Sequence, residues 1–338
     1  MLMSVLLLLF ALVLVFAAAQ LFTNALEYIG ERMGLSEGVT GSVFAAVGTA
    51  MPETIVPMVA ILAGGSAVEV NHAVGMGAIL GAPFMLATLS LGVMAWFAGR
   101  KRGWLAAMKP EHTGQQRDIK VFLIGFGLAV IAALLPAGWH TLQLVIAFLL
   151  GATYFLYLLY TIRASKALAS GGHATEADQE LYLSRWVKAS FASASVQLFA
   201  GLTMLVWGAR LFVDGASSLS SAFGVSAFLI SLLIIPVATE LPEKVNSVIW
   251  IRKGKDTLAF GNITGAMVFQ GTVIPAMGIM IMPWHFDVAS HASYSVILAI
   301  TGVAWLWWLQ YSKRLNAANL MFNVALYAVF IAIAMTGF

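Results

Sequence analysis

Two stretches decide how this chain is read: Ala46-Val47-Gly48-Thr49-Ala50-Met51-Pro52-Glu53 and Pro236-Val237-Ala238-Thr239-Glu240-Leu241-Pro242-Glu243. Both contain Thr-x-x-Pro-Glu, and each position in the second lies 190 residues after its counterpart in the first. A glycine-containing return follows each copy, Gly77-Ala78-Ile79-Leu80-Gly81-Ala82 in one and Gly261-Asn262-Ile263-Thr264-Gly265-Ala266 in the other. Five apolar spans separate the copies. An odd number of crossings inverts the second copy in a membrane, and inverted repeats with broken helices are a transporter plan with its site at the midplane.

The surrounding composition demands a membrane. Of 338 residues, 61% are hydrophobic and 10% charged, and the mean hydropathy is +0.91. Soluble domains carry about 25% charged residues, so an ordinary globular enzyme, a disordered chain and a nucleic-acid binder are excluded. Apolar runs predict ten spans near 2–30, 37–64, 72–98, 119–136, 141–163, 190–217, 224–251, 257–282, 290–311 and 316–337. The runs are helical in length, since barrel strands are about 10 residues and alternating. Met1-Leu2-Met3-Ser4 lacks a basic n-region and is read as the start of the first span. With no cysteine, disulfides and thiolate chemistry are excluded.

Charge orients the spans. If both termini lie outside, the loops after spans 1, 3, 5, 7 and 9 hold sixteen of the eighteen Lys and Arg residues. That bias predicts N-out, C-out and a cytoplasmic central linker. The expected architecture is an all-α multi-pass membrane protein of ten transmembrane helices in two inverted five-helix repeats. Residues 1–163 form the first repeat, 164–189 the linker, with a short helix around Glu176–Lys188, and 190–338 the second repeat.

Of the fifteen acidic residues, Glu53, Glu240 and Glu243 are read as lying well inside spans. A carboxylate there costs a few kcal/mol or more and marks a functional site unless it only bonds a neighbouring helix. Pro52 and Pro242 lack an N–H and crowd the carbonyl four residues earlier, which belongs to Gly48 or Ala238. In lipid those carbonyls need another partner, and a cation is one. Thr49 and Glu53 share a helix face at i and i+4, as do Thr239 and Glu243. The expected cage of two facing carboxylates, two hydroxyls and freed carbonyls is built of hard oxygen ligands, suited to Ca²⁺, Mg²⁺, Mn²⁺ or Na⁺.

At these residues the chain resembles the cation/Ca²⁺ exchanger superfamily, whose repeat reads Gly-Thr-Ser-x-Pro-Glu followed by Gly-Asn-x-x-Gly-Ser-x-x-x-Asn, or Asp in the second copy. The resemblance implies divalent-ion ligands at Thr49, Glu53, Thr239 and Glu243, carbonyl donors near Ala46 and Pro236, and the second-copy amide ligand at Gln270. It also implies alternating access in which spans 1 and 6 slide or rock. The departures matter. The motif serines are Ala50 and Glu240, the Gly-Ser serines are Ala82 and Ala266, and the first-copy Asn is Leu86. That register needs six extra residues before Gly77; the gap-free one pairs His72 with Asn262 and Leu80 with Gln270. Both lose the first-copy ligand, which implies degraded Na⁺ sites.

Lys244 follows Glu243 and stands at i+4 from Glu240. Either the pair is a fixed intramembrane salt bridge, or the ammonium occupies a cation position and takes part in coupling; a third placement snorkels it to the surface. Asn24, Gln20 and Thr23 read as interhelical hydrogen-bonders, Gly75, Gly77 and Gly81 as close helix contacts, and Trp284, His285 and Trp305 to Trp308 as an interfacial belt. The expected activity is non-enzymatic: a secondary antiporter exchanging Ca²⁺ for Na⁺ or H⁺, with a proton-coupled Mg²⁺ or Mn²⁺ exchanger as the alternative. An intramembrane hydrolase using paired Glu is a distant third. The expected partners are inorganic cations and the lipid bilayer, with no cofactor and no obligatory protein partner.

Overall fold

The computed structural model describes residues 2–32, 45–62, 68–169 and 180–336. Its elements are α1 (Leu2–Arg32), α2 (Ala45–Leu62), α3 (Val68–Met85), a π turn (Leu86–Ser90), α4 (Leu91–Arg102), α5 (His112–Leu134), α6 (His140–Ala169), α7 (Phe191–Phe223), α8 (Ala227–Thr239), α9 (Leu241–Arg252), α10 (Asp256–Ile281), α11 (His291–Tyr311) and α12 (Ala317–Met335). No strand occurs among the described residues. The α3–π–α4 rod and the α8–α9 pair each occupy one expected span, so the ten helical segments of the sequence reading are present. Seven described helices are long and apolar enough to cross a bilayer, and Pro52–Leu62 and Ala227–Val237 are shorter apolar helices.

Local chemistry sets the ends. Ser190 caps α7 in a reciprocal box with Ser193, Ser226 caps α8 and Asn316 caps α12. Each supplies a side-chain oxygen to an amide of the first turn that has no helical partner. Gly224 closes α7 at φ +67°, a left-handed position that glycine adopts without strain. Of the expected helix around Glu176–Lys188, 176–179 lie outside the described residues, and in the described part Tyr182–Arg185 form one 3₁₀ turn. α6 runs on past residue 163 to Ala169.

The chain divides into two compact units. One comprises Met1–Asn71 and Phe155–Val225, the other His72–Tyr154 and Ser226–Phe338. In the first, α1 packs along α7. Gly201, Gly208 and Gly215 recur every seven residues; Cβ atoms there would press on Phe22, Val15 and Leu8 in turn. Without a hydrophobic drive between helices in lipid, such close backbone approach supplies the van der Waals contact that holds them. At one end Asn24 donates to the Glu180 carbonyl (3.1 Å) and accepts from Tyr182 N and Gln197 Nε2, both at 2.9 Å, an interhelical network as the sequence suggested.

In the second unit α8 lies on α3. Gly77 and Gly81 face the α8 backbone, with a Cβ at Gly81 falling 2.8 Å from Leu232 Cα, and Ser231 Oγ donates to the Val74 carbonyl. The π turn is satisfied from α12: Asn323 Nδ2 donates to Ala87 O (2.7 Å) and Gly302 O (3.0 Å). A wide turn spoils the regular i to i−4 ladder, so a donor from outside replaces what the ladder loses. Trp284 is a correction. It is not an interfacial belt residue but 1% exposed, its indole N–H bonded to Ala129 O at 2.9 Å. An indole buries readily when its one donor is met. Beyond α4, Arg102 grips both carboxylate oxygens of Asp256, which also accepts from Lys109 N (2.7 Å).

Candidate cation site

The second Thr-x-x-Pro-Glu copy sits on a helix break. α8 ends at Thr239, Glu240 takes φ −103° and ψ 4°, and α9 starts at Leu241 with Pro242 in its first turn. Pro242 has no amide to extend α8 and suits the start of a helix, where that amide would be unused. This corrects the expectation that Thr239 and Glu243 share one continuous helical face, since the break falls between them. Thr239 is buried, and its hydroxyl back-bonds to Ile235 O at 3.3 Å.

Glu240 is 1% exposed. Lys244 Nζ reaches its Oε2 at 3.2 Å and, at the same 3.2 Å, the carbonyl of Pro236 in the last turn of α8. The ammonium therefore binds a carboxylate and a helix-end carbonyl together. The C-terminal end of a half-helix carries partial negative charge and suits a cation. Lys244 does not snorkel: its side chain is 13% exposed. Gln270, in the middle of α10 and 2% exposed, lies beside the Glu240 carboxyl. Among the described residues, Glu240 Oε1 and Gln270 Oε1 have no hydrogen-bond partner. A buried carboxylate oxygen and a buried amide oxygen thus stand near the break as acceptors without a donor, a polar environment that suits positive charge.

The first copy differs. α2 runs helical from Ala45 to Leu62 with Pro52 and Pro57 inside it, and Glu53 is buried at 6% exposure. Ala46, Gly48 and Thr49 fall in the first two turns of α2, and Ala238 and Glu243 flank the break in the second copy. The side-chain surroundings of these five lie outside the described residues. Of the expected site residues, the structure thus brings Pro236, Thr239, Glu240, Lys244 and Gln270 into one neighbourhood.

Two buried acids escaped the sequence reading. Asp118, 4% exposed, accepts from Thr264 Oγ1 of the second glycine motif at 2.8 Å and from Arg117 at 3.2 Å. Asp256 is 6% exposed. The apolar runs 119–136 and 257–282 each begin one residue after these acids. The signal that would have found Asp118 is Glu111, which caps α5 through Thr113 N and Gly114 N and so sets Asp118 about two turns inside. Asn262 Nδ2 bonds the buried Ser247 at 2.9 Å, tying the same motif to α9.

Comparison with known proteins bears on the family and the fold. Residues 3–163 and 193–336 match the family described as sodium/calcium exchanger protein. CaxA of Alkalimonas amylolytica is 27% identical over 90% of this chain and 89% of its own. The sodium/calcium exchanger MaX1 of Methanosarcina acetivorans is 25% identical over 78% and 79%. Among solved structures, an H⁺/Ca²⁺ exchanger CAX superposes with TM-score 0.68 at 15% identity, covering 98% of this chain and 87% of that one. The sodium–calcium exchanger NCX_Mj gives 0.55 at 18%, covering 98% of each.

Proposed function

The chain belongs to the sodium/calcium exchanger protein family of membrane transporters, and from that premise we propose that it is a secondary antiporter exporting Ca²⁺ in exchange for H⁺ or Na⁺. The observation that carries the reading is the Lys244 ammonium held by Glu240 and the Pro236 carbonyl. A buried helix break already holds a monovalent positive charge on hard oxygen atoms there, beside unsatisfied oxygens of Glu240 and Gln270. Glu53, Glu243, Thr49 and Thr239 supply the divalent ligands, with carbonyls of Ala46, Gly48, Pro236 and Ala238. One pair of carboxylates holds a divalent ion or the counter-ions, but not both at once, and that exclusion is what antiport requires.

Of the two counter-ions, H⁺ has the better support. Alanines stand at 50, 82 and 266, so three hydroxyls that the resemblance implies for this site are missing. Glu240 adds a buried carboxyl, paired with Lys244 at 3.2 Å, at a position where the resemblance implies a serine. The termini face outside and the central linker the cytoplasm, as the basic loops require. Membership of a transporter family leaves the hydrolase reading without support. The alternative of Mg²⁺ or Mn²⁺ as cargo rests on the same hard donors and is an arm of the test.

The test is counter-flux in proteoliposomes, with labelled Ca²⁺, Mg²⁺ and Mn²⁺ against imposed pH and Na⁺ gradients. Ca²⁺ uptake driven by the pH gradient is the expected result. A steep Na⁺ dependence would overturn the proton assignment. Absence of gradient-driven flux for every cation would overturn antiport itself.

A further inference from the structure

A shallow, solvent-open cavity of about 350 Å³ lies where α4 and α9 end, lined by Trp96, Phe97, Arg100, Lys101 and Arg252. All five side chains are exposed. The three cations form no ion pair among the described residues. The nearby acids are engaged elsewhere: Asp256 by Arg102 and Lys109 N, Glu111 by the first turn of α5. The helix-end carbonyls are also occupied, Gly99 O by Gly103 N (3.0 Å) and Trp250 O by Lys255 N (2.9 Å). Two helix C-termini bring roughly half a negative charge each, which three full positive charges exceed.

We infer that this cavity binds the phosphate of an anionic lipid headgroup. The apolar half of the wall decides between a lipid and a free anion. Trp96 and Phe97 are 46% and 38% exposed in the last turns of a rod, Val68–Arg102, that is long and apolar enough to cross the bilayer. Trp96 also meets Trp104 edge-on at 5.5 Å. Aromatic rings below and cations above match the acyl–glycerol and phosphate levels of one lipid. Basic pockets between transmembrane helices bind such headgroups. A free phosphate would use the cations and leave the rings idle. Arg102, the neighbouring cation, is withdrawn from the cavity by Asp256, so the count of three is a property of the packing.

The experiment places the full chain in nanodiscs of phosphatidylcholine with phosphatidylglycerol and counts the lipids retained by native mass spectrometry. Wild type is expected to retain phosphatidylglycerol over phosphatidylcholine. The variant combining Arg100→Gln, Lys101→Gln and Arg252→Gln should lose that preference, by about five-fold per charge, with an unchanged melting temperature in phosphatidylcholine. Lys120→Gln, an exposed cation elsewhere, should retain it. Trp96→Ala with Phe97→Ala should weaken retention while all three cations remain. Undiminished retention by the triple variant overturns the site. Inorganic phosphate competing the lipid off equally well in wild type and in the aromatic variant assigns the pocket to a free anion and overturns the lipid.

Discussion

The two Thr-x-x-Pro-Glu copies share a sequence pattern and differ in construction. α2 carries Pro52 without interruption, whereas its counterpart is severed at Glu240 into α8 and α9. At the 190-residue offset, Ala46 answers Pro236, Ala50 answers Glu240 and Thr54 answers Lys244. Those three second-copy residues are the ones that meet in the ammonium contact, and the first copy has none of them. A proline alone therefore does not break these helices. The break coincides with a buried carboxylate that has an ammonium to neutralise it, and inverted repeats need not stay chemically symmetric.

The sharpest way to break the comparison is to neutralise the shared carboxylates. Glu53→Gln and Glu243→Gln should each reduce Ca²⁺ flux to background with the protein still folded, as read by counter-flux and size-exclusion profile. If only one variant does so, the copies are unequal in transport as well as in build. Next in size is the pair that only the second copy has. Lys244→Ala strands a buried carboxylate and should destabilise by about 3–5 kcal/mol, seen as a lower melting temperature in detergent. Converting the second copy toward the first, with Glu240→Ala and Lys244→Thr together, should recover much of that loss. In vesicles the double variant should also show an altered pH profile of transport; an unchanged profile reduces the pair to a structural salt bridge.

Smaller effects probe the packing of α8 on α3 and the π turn that continues α3. Gly81→Val sets a side chain against the α8 backbone at Leu232, an overpacking worth about 1–3 kcal/mol. Asn323→Leu removes the donor to the Ala87 and Gly302 carbonyls and should cost about 1–3 kcal/mol. Either loss is readable by thermal melting.

The smallest effect lies outside the spans. Slight burial raises the Glu111 carboxyl, but the amide donors of Gly114 and Thr113 outweigh it and hold the group below the ordinary glutamate range. The folded form therefore favours the ionised state. Its contribution is present above the unfolded pKa and fades as pH falls through the folded value. Glu111→Ala should lose about 1 kcal/mol or less at neutral pH, and the difference from wild type should close in acid.

Ten helices and a doubled carboxylate motif were legible because hydropathy, proline and charge are read along the chain. Lys244 was visible as a partner for Glu240 at i+4, since that spacing follows from helix geometry alone. Its second contact, the Pro236 carbonyl, was not, because i and i−8 meet only where a helix is interrupted. Asp118 was passed over because its worth as a buried group depends on Thr264, 146 residues away. Trp284 was misplaced for a related reason: its indole finds Ala129 O across 155 residues, and aromatic composition alone points equally to an interface.

The linear order of residues determined that this is a membrane protein of repeated helical halves with carboxylates where lipid forbids them to stand alone, because transfer of apolar and charged groups depends on composition and short-range period. Only the tertiary structure decided which oxygens surround the ammonium, which helix is cut and which acids are buried, because those outcomes depend on backbone approach and hydrogen bonds between residues far apart in the chain.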